Sequence, residues 1–437
     1  MKPGTQIDAR DVIIMIGAGA AALGLGASCN GAGGGFDCTV QTENYETATA
    51  NMGALVDTVP DIGPFPMAMV LSQDGVNNLL ATVLDREFQS FPIEGEGYTV
   101  RIRPSLPTIQ LESLEGCATC VLANMNLDIE SVKVLGVDLG SAEALVGLDL
   151  PVNMKSKSNS ATGLMVGMNQ ATVSDLDIDV SGFSLSQVPG FQQLVEGWAT
   201  DYVRSEFGET ELVEMESWQV SDDVLLAARG PMIFPEQRTI LLGLHTNLSL
   251  PGTATLQQQA TLPAEAQMGL QFHPDLLLGM VQRLMSEDTI PTDYDEQGNF
   301  TGNGDHRISM SAMTASESGE GLRTDFRVWR TGGGLCGFAD ISSTLAAQIS
   351  GDNVQFTAQD FQVTGGDGVG QFLDQSDWLA GDFIEAMTRN IELTVNYKEL
   401  SFEGEDKEIV PKANSLTIDG SGLSVFLDLG IQDKASE

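Results

Sequence analysis

The sequence predicts an α+β protein made of two tandem, pseudo-symmetric domains. Three observations lead there. At 437 residues the chain exceeds the usual size of one hydrophobic core. A strand-then-helix pattern occurs twice, 201 positions apart. Most of the remaining sequence alternates apolar and polar residues, the period of antiparallel strands with one wet and one greasy face. A hydrophobic fraction of 42% with mean hydropathy near zero describes a folded chain rather than a disordered acidic one.

Residues 1–28 read as an export signal. Lys2 and Arg10 precede an apolar run from Val12 to Ala27, which closes on Gly26-Ala27-Ser28-Cys29. That ending resembles the lipobox of bacterial lipoproteins, whose cysteine becomes the lipid-modified first residue of the mature chain. It departs from the pattern in that Leu25 stands four positions before Cys29 instead of three. Residues 29–59 follow as a glycine-rich tether and lead-in. The expectation is a chain lipid-anchored at Cys29 to the outer membrane of a bacterial cell envelope, on its periplasmic or surface face. The same run imitates a dinucleotide-binding turn at Gly17-Ala-Gly19-Ala-Ala-Ala22. That motif needs a long helix next, and Gly24, Gly26, Gly31 and three glycines at 33–35 would break one.

Cysteine usage agrees with export. With Cys29 given to lipid, Cys38, Cys117, Cys120 and Cys336 leave an even number for an oxidising compartment. Cys117-Ala-Thr-Cys120 reads as a redox or zinc motif, or as a small disulfide at a strand turn. The disulfide is preferred, because a zinc site wants a second pair. Cys38 and Cys336 either pair or stay free.

The repeat begins where Met67, Met69 and Leu71 alternate as a strand. Val76, Leu79, Leu80, Val83 and Leu84 then form a helical stripe. Met268, Leu270 and Phe272, followed by Leu277, Met280, Val281, Leu284 and Met285, restate it without a gap, and Asp275 matches Asp74. A second helix closes each half, through Phe191, Leu194, Val195, Trp198 and Tyr202 in the first and Trp378, Phe383, Ile384 and Met387 in the second. Between the two helices the chain is β-like, at 126–180 in the first half and at 322–363 in the second, with further strands at 210–250 and 416–429. The domains are therefore 60–250 and 264–437, with 251–263, including Gln257-Gln-Gln259, as linker.

The order strand, helix, long antiparallel strands, helix is similar to the tubular lipid-binding superfamily, whose two-domain members include the bactericidal permeability-increasing protein and lipid transfer proteins. The resemblance is strongest at Leu71-Ser72-Gln73-Asp74-Gly75-Val76, where such proteins enter their first helix. It extends as architecture over roughly residues 60–437 and as motif over about a dozen residues. It implies a strongly curved antiparallel sheet wrapped around long helices in each half, the halves joined through a central sheet, with lipid tails in the gap. It implies binding and transfer of phospholipid, fatty acid or sterol-like cargo without covalent chemistry. The residues facing that cargo would be Val76, Leu80, Val83, Leu194 and Trp198, then Leu277, Met280, Leu284, Phe383 and Met387.

Charge bears on partners. With 21 basic against 61 acidic residues, a net charge of −40 opposes nucleic-acid binding and attack on anionic lipopolysaccharide. Seventeen methionines and only 6% aromatic residues suit an interior that adapts to flexible apolar ligands. Two other classes stand beside this reading. One is a structural or adhesive surface lipoprotein without cargo. The other is an envelope hydrolase, but His245, His273 and His306 are scattered and no Gly-x-Ser-x-Gly elbow occurs. No cofactor is expected. Calcium is the one candidate ion: Asp293, Asp295, Gln297 and Asn299 with Gly298 sixth match the start of a calcium loop, yet Gly304 stands where a bidentate Glu belongs, and a solvated acidic hairpin tip explains the stretch as well.

Overall fold

A computed structural model describes residues 37–433, apart from 61–64, 85–87, 157–161, 180–189, 216–222, 257–260, 296–298, 368–382, 398–401, 404–406 and a few single or paired positions. The signal-like segment, Cys29, Gln257–Gln259, Gln297 and Trp378 lie outside the described residues.

The first half runs α1 (Cys38–Thr49), β1 (Met67–Ser72), α2 (Gln73–Val83), β2 (Phe91–Gly95), β3 (Tyr98–Pro104), β4 (Thr108–Gln110), β5 (Cys120–Val134), β6 (Val137–Asp138), β7 (Ala142–Ser156), β8 (Thr162–Val166) and β9 (Thr172–Asp179). Helix α3 (Phe191–Glu206) and strands β10 (Thr210–Met215), β11 (Leu226–Phe234) and β12 (Thr239–Thr246) complete it. The second half runs β13 (Met268–Phe272), α4 (Pro274–Ser286), β14 (Asp293–Tyr294), β15 (His306–Ala315), β16 (Gly321–Arg330), β17 (Gly337–Ser350) and β18 (Asn353–Gly366). Helical residues 383–392 and strands β19 (Phe402–Glu403), β20 (Lys407–Asp419) and β21 (Gly422–Asp433) close the chain. The stretch 416–429, read as strand, is the inner part of the β20–β21 hairpin. Helix α1 falls inside what the sequence offers as a lead-in. It carries no apolar stripe, and it is set by the Asp37 side chain, which accepts the Thr39 N–H at 2.9 Å as an N-cap.

The strands form three antiparallel sheets, two of them curled into half-barrels. The flatter, seven-stranded sheet has the order β11-β12-β1-β13-β21-β20-β19, so strands of both halves meet in it. At its middle β1 lies against β13, with Met67 opposite Phe272, Met69 opposite Leu270 and Leu71 opposite Met268. The first curled sheet has the spine β10-β8-β7-β5-β3-β2, and the second is β14-β15-β16-β17-β18. Bulges bend both: the register slips at Arg101/Ile102 and Gly147/Leu148 in one, and at Met310/Ala312 and Ser342/Thr344 in the other.

Alternation decides which face is buried. Val121, Ala123, Met125, Leu127 and Ile129 of β5 all point into the first curl, as do Leu322, Phe326 and Val328 of β16 in the second. β1 is buried along nearly its whole length because both its faces are covered. Met67, Met69 and Leu71 join the main core, while Ala68 and Val70 meet Leu241, Leu256 and Leu262 on the other side. The stretch read as linker thus roofs the outer face of the central sheet with Leu256 and Leu262. One continuous apolar cluster extends from β1 through both curls to β21.

Two disulfides are formed. Cys117–Cys120 closes the turn before β5, and Cys38–Cys336 ties α1 to the start of β17 across 298 residues of sequence. Among the described residues no helix is long and apolar enough to cross a membrane.

Candidate functional site

Each curled sheet encloses an apolar interior whose open side is closed by two helices. In the first half α2 starts at Ser72, whose hydroxyl accepts the Gly75 N–H at 3.0 Å, with Asp74 in the positive first turn. Glycine is required at position 75 because a Cβ there would lie 2.5 Å from the Gln267 carbonyl oxygen. The polar face of α2 is tied to the sheet: Asn77 both donates to the Ile109 carbonyl (2.9 Å) and accepts its N–H (2.7 Å), and Gln73 accepts the Leu111 N–H at 3.0 Å. The opposite face, with Val76, Leu79 and Leu80, is fully buried.

Helix α3 crosses the remaining gap. At one margin it packs on β9, and the Arg204 guanidinium forks onto the Ala171 carbonyl at 3.0 and 2.7 Å, a cation on the strand side of the helix end. At the other margin Trp198 and Tyr202 stack at 5.0 Å and meet Phe91 of β2, with centroid separations of 6.3 and 5.1 Å. Phe207 joins Tyr202 at 5.8 Å and Phe88 at 5.9 Å. Phe88, Phe91, Ile93, Leu194 and Trp198 are only half-buried, so the seam between β2 and α3 presents apolar and aromatic edges to solvent. Sequence reading found Trp198 and Leu194 but missed Phe88, Phe91 and Phe207; the clustering of aromatic residues in a chain so poor in them was the available signal.

In the second curled sheet the enclosing helices are α4 and residues 383–392. Helix α4 begins at His273, whose Nδ1 accepts the Asp275 N–H at 3.2 Å. Burial holds the His273 pKa below its ordinary value, against a smaller opposing pull from Asp275. Gln282 donates to the Met310 carbonyl at 3.0 Å, and Arg283 pairs with Asp223 and Glu287 at the far end. Leu277, Met280 and Leu284 are buried on the inner face, as are Phe383 and Met387 of the second helix, and Phe383 meets Phe326 at 5.6 Å. Along this helix Glu392 accepts the Phe356 N–H of β18 at 2.8 Å, and the half-buried residues packed on the core include Ala347, Ala358 and Ala386.

The structure brings nine of the ten apolar residues singled out in the sequence into the continuous apolar cluster, and leaves Val83 outside it. Val76, Leu80, Leu277, Met280, Leu284, Phe383 and Met387 are buried, whereas Val83, Leu194 and Trp198 sit half-buried at the margin. Met125, Met168 and Met165 are likewise buried. The three histidines are apart from one another, His245 in β12, His273 capping α4 and His306 starting β15. In the acidic hairpin, Asp293 pairs with Arg307 at 2.9 Å, and burial raises its pKa despite that cation. Asp295 accepts the Asn299 backbone N–H at 2.8 Å and its side-chain amide at 3.0 Å. Among the described residues no group of three or more His, Cys, Asp or Glu is placed to hold a metal ion.

No protein-family model matches the chain, and no curated protein does. Among solved structures, P47 of Clostridium botulinum E1 is similar, with a TM-score of 0.43 and 11% identity, covering 84% of this chain and 100% of that one. P47 from Clostridium botulinum A2 gives a TM-score of 0.42 and 11% identity over 83% of this chain and 97% of that one. A lipopolysaccharide binding protein gives a TM-score of 0.33 and 10% identity over 86% of this chain and 100% of that one.

Proposed function

We propose that the protein binds and transfers lipids, holding acyl chains or sterol-like groups between the helices and the concave sheet of each half. The observation that carries this reading is the β2–α3 seam, where Phe91 and Trp198 stand half-exposed over an interior lined by aliphatic and methionine side chains. A ligand entering there loses contact with water along its length, worth about 0.8 kcal/mol per methylene, and needs no charged clamp. Methionines such as Met125 and Met280 adapt to tails of varied shape. No bond is made or broken.

Passage would occur by α3 tilting its Trp198 edge away from β2 while the Arg204 fork holds the C-terminal turn to Ala171. That movement separates aromatic rings and breaks no strand pairing. The two halves act as repeats of one unit, a reading supported by the 201-residue offset and by the way β1 and β13 pair about Met69 and Leu270. A lipid anchor at Cys29 would hold the protein in a bacterial envelope, where the exchangeable lipid resides.

Native mass spectrometry of the purified chain, followed by solvent extraction, tests the proposal. Co-purifying lipid, and saturable uptake of a fluorescent fatty acid, are the expected results. A chain that carries no lipid and takes up none is a scaffold instead.

A further inference from the structure

We infer that the turn joining β5 to β6 is a membrane-docking wedge that enters the interface of a lipid bilayer. Leu135 is 84% exposed and Val137 is 60% exposed, the two largest exposures of any large apolar residue among those described. Both stand at one apex. The Leu135 N–H donates to the Gly97 carbonyl at 2.6 Å, so the β2–β3 and β5–β6 turns are fastened together as a single tip.

Leu135 also holds a φ of +50°, a left-handed conformation that a leucine adopts only at a cost in strain. Glycine is the residue that fits such a position, and Gly136 beside it takes a φ of +82°. The fold thus strains a leucine and shows it to solvent, with its side chain lying over Gly97, where a Cβ would sit 3.0 Å from Leu135 Cδ2.

The occupant follows from shape and charge. An apex of two aliphatic side chains is convex and narrow, far from the roughly 800 Å² per partner that a stable protein interface buries. It is well shaped to pass between lipid headgroups. Residues 91–104 and the β5–β6 stretch beside them, 127–138, carry Arg101, Arg103 and Lys133 against Glu94, Glu96, Asp128, Glu130 and Asp138, both signs interspersed in a chain of 21 basic and 61 acidic residues. A zwitterionic bilayer, which carries no net surface charge, meets the −40 chain at this tip without long-range repulsion. Tyr98, half-buried at its base, supplies the amphipathic ring that favours the headgroup level.

Full-length chain carrying Leu135→Trp is mixed with phosphatidylcholine vesicles containing brominated acyl chains, with Leu145→Trp as control. Leu145 is also exposed, at 42%, but lies on the convex wall of β7. Added quenching at position 135 and none at 145 is expected; equal quenching at both overturns the proposal. Leu135→Gly, which relieves the left-handed strain, should keep or raise the melting temperature while vesicle partitioning falls about tenfold. Unchanged partitioning overturns it, as does a dimer of the parent chain that Leu135→Gly dissolves, which would assign the tip to a second copy. Uptake of monomeric fluorescent fatty acid without vesicles tests the cargo reading separately: its loss alone leaves the wedge standing.

Discussion

The two curls share a plan and differ in how they are closed. In the first, the helix-to-sheet seam is a row of half-exposed aromatics, and the disulfide Cys117–Cys120 spans three positions of its own turn. In the second, Glu392 bolts the helix to β18, and α1 is strapped over the convex face. That strap is the Cys38–Cys336 disulfide, Gln41 donating to Asp367 at 2.9 Å, and Tyr45 packed edge-on to Trp329 at 6.2 Å with Arg307 over its ring. Burial raises the Tyr45 pKa, as expected of a ring that has left solvent. An apolar interior alone does not make an accessible site; the seam decides whether it exchanges. On the proposed function, the first seam is the one that would part and the second the one that would hold.

The largest effect expected is from a charge placed inside one curl. Leu80→Glu and Leu284→Glu each force a carboxylate into fully apolar surroundings, at a cost of several kcal/mol. If the halves bind independently, each variant that still folds takes up half the parent's fluorescent lipid. Because the core is continuous, circular dichroism and a melting curve must accompany the stoichiometry. A folded Leu80→Glu variant with full uptake would sink the assignment of that interior.

The disulfides come next. Loss of Cys38–Cys336 through Cys336→Ser frees a loop of 298 positions and should destabilise the chain by about 6 kcal/mol in the chain-entropy account. Cys120→Ser removes a closure over three positions and should cost about 2 kcal/mol. Denaturant unfolding of the two variants measures the difference directly, and equal losses would mean the strap over the second half contributes nothing beyond a local turn.

A smaller change should make the second half behave like the first. Glu392→Ala leaves the Phe356 amide without that acceptor, costing about 1–2 kcal/mol at the seam. Measured in the Leu80→Glu background, lipid uptake by the second half should become faster; an unchanged rate would show that the bolt does not gate it.

The smallest effect is in pH. Helices α2 and α4 are capped, 201 positions apart, by Ser72 and by His273. The folded His273 pKa lies below its unfolded value near 6.5, so the unfolded chain takes up the proton first. Its contribution is complete above about 6.5 and is lost as pH falls through the folded pKa. His273→Ser copies the first half's cap and should flatten the melting temperature between pH 7.5 and 5 relative to the parent. An identical pH slope in both chains would show that the cap does not titrate.

Several of these features were legible in the sequence because they are local or periodic. Ser72 announces a helix start by its own hydroxyl, and the stripe from Val76 to Leu84 matches 3.6 residues per turn. Helix α1 was not legible, since a polar helix leaves no period to read and rests on a cap and a distant disulfide. Nor was the aromatic seam, because Phe91 and Trp198 become neighbours only once the sheet curls.

The sequence by itself determined the helical stripes of α2 and α4 and the alternation of strands such as β5, since these depend on periodicity within a few residues. It also determined the acidity that limits what the surface can approach. Only the tertiary structure decided which cysteines meet, that the stretch read as linker roofs the central sheet with Leu256 and Leu262, and that one seam is edged by half-buried aromatics while the other carries the Glu392–Phe356 hydrogen bond. Those outcomes rest on contacts between residues tens to hundreds of positions apart. Such contacts depend on the bend and register of whole sheets, where a bulge such as Ser342/Thr344 redirects everything beyond it, and no local pattern encodes the sum.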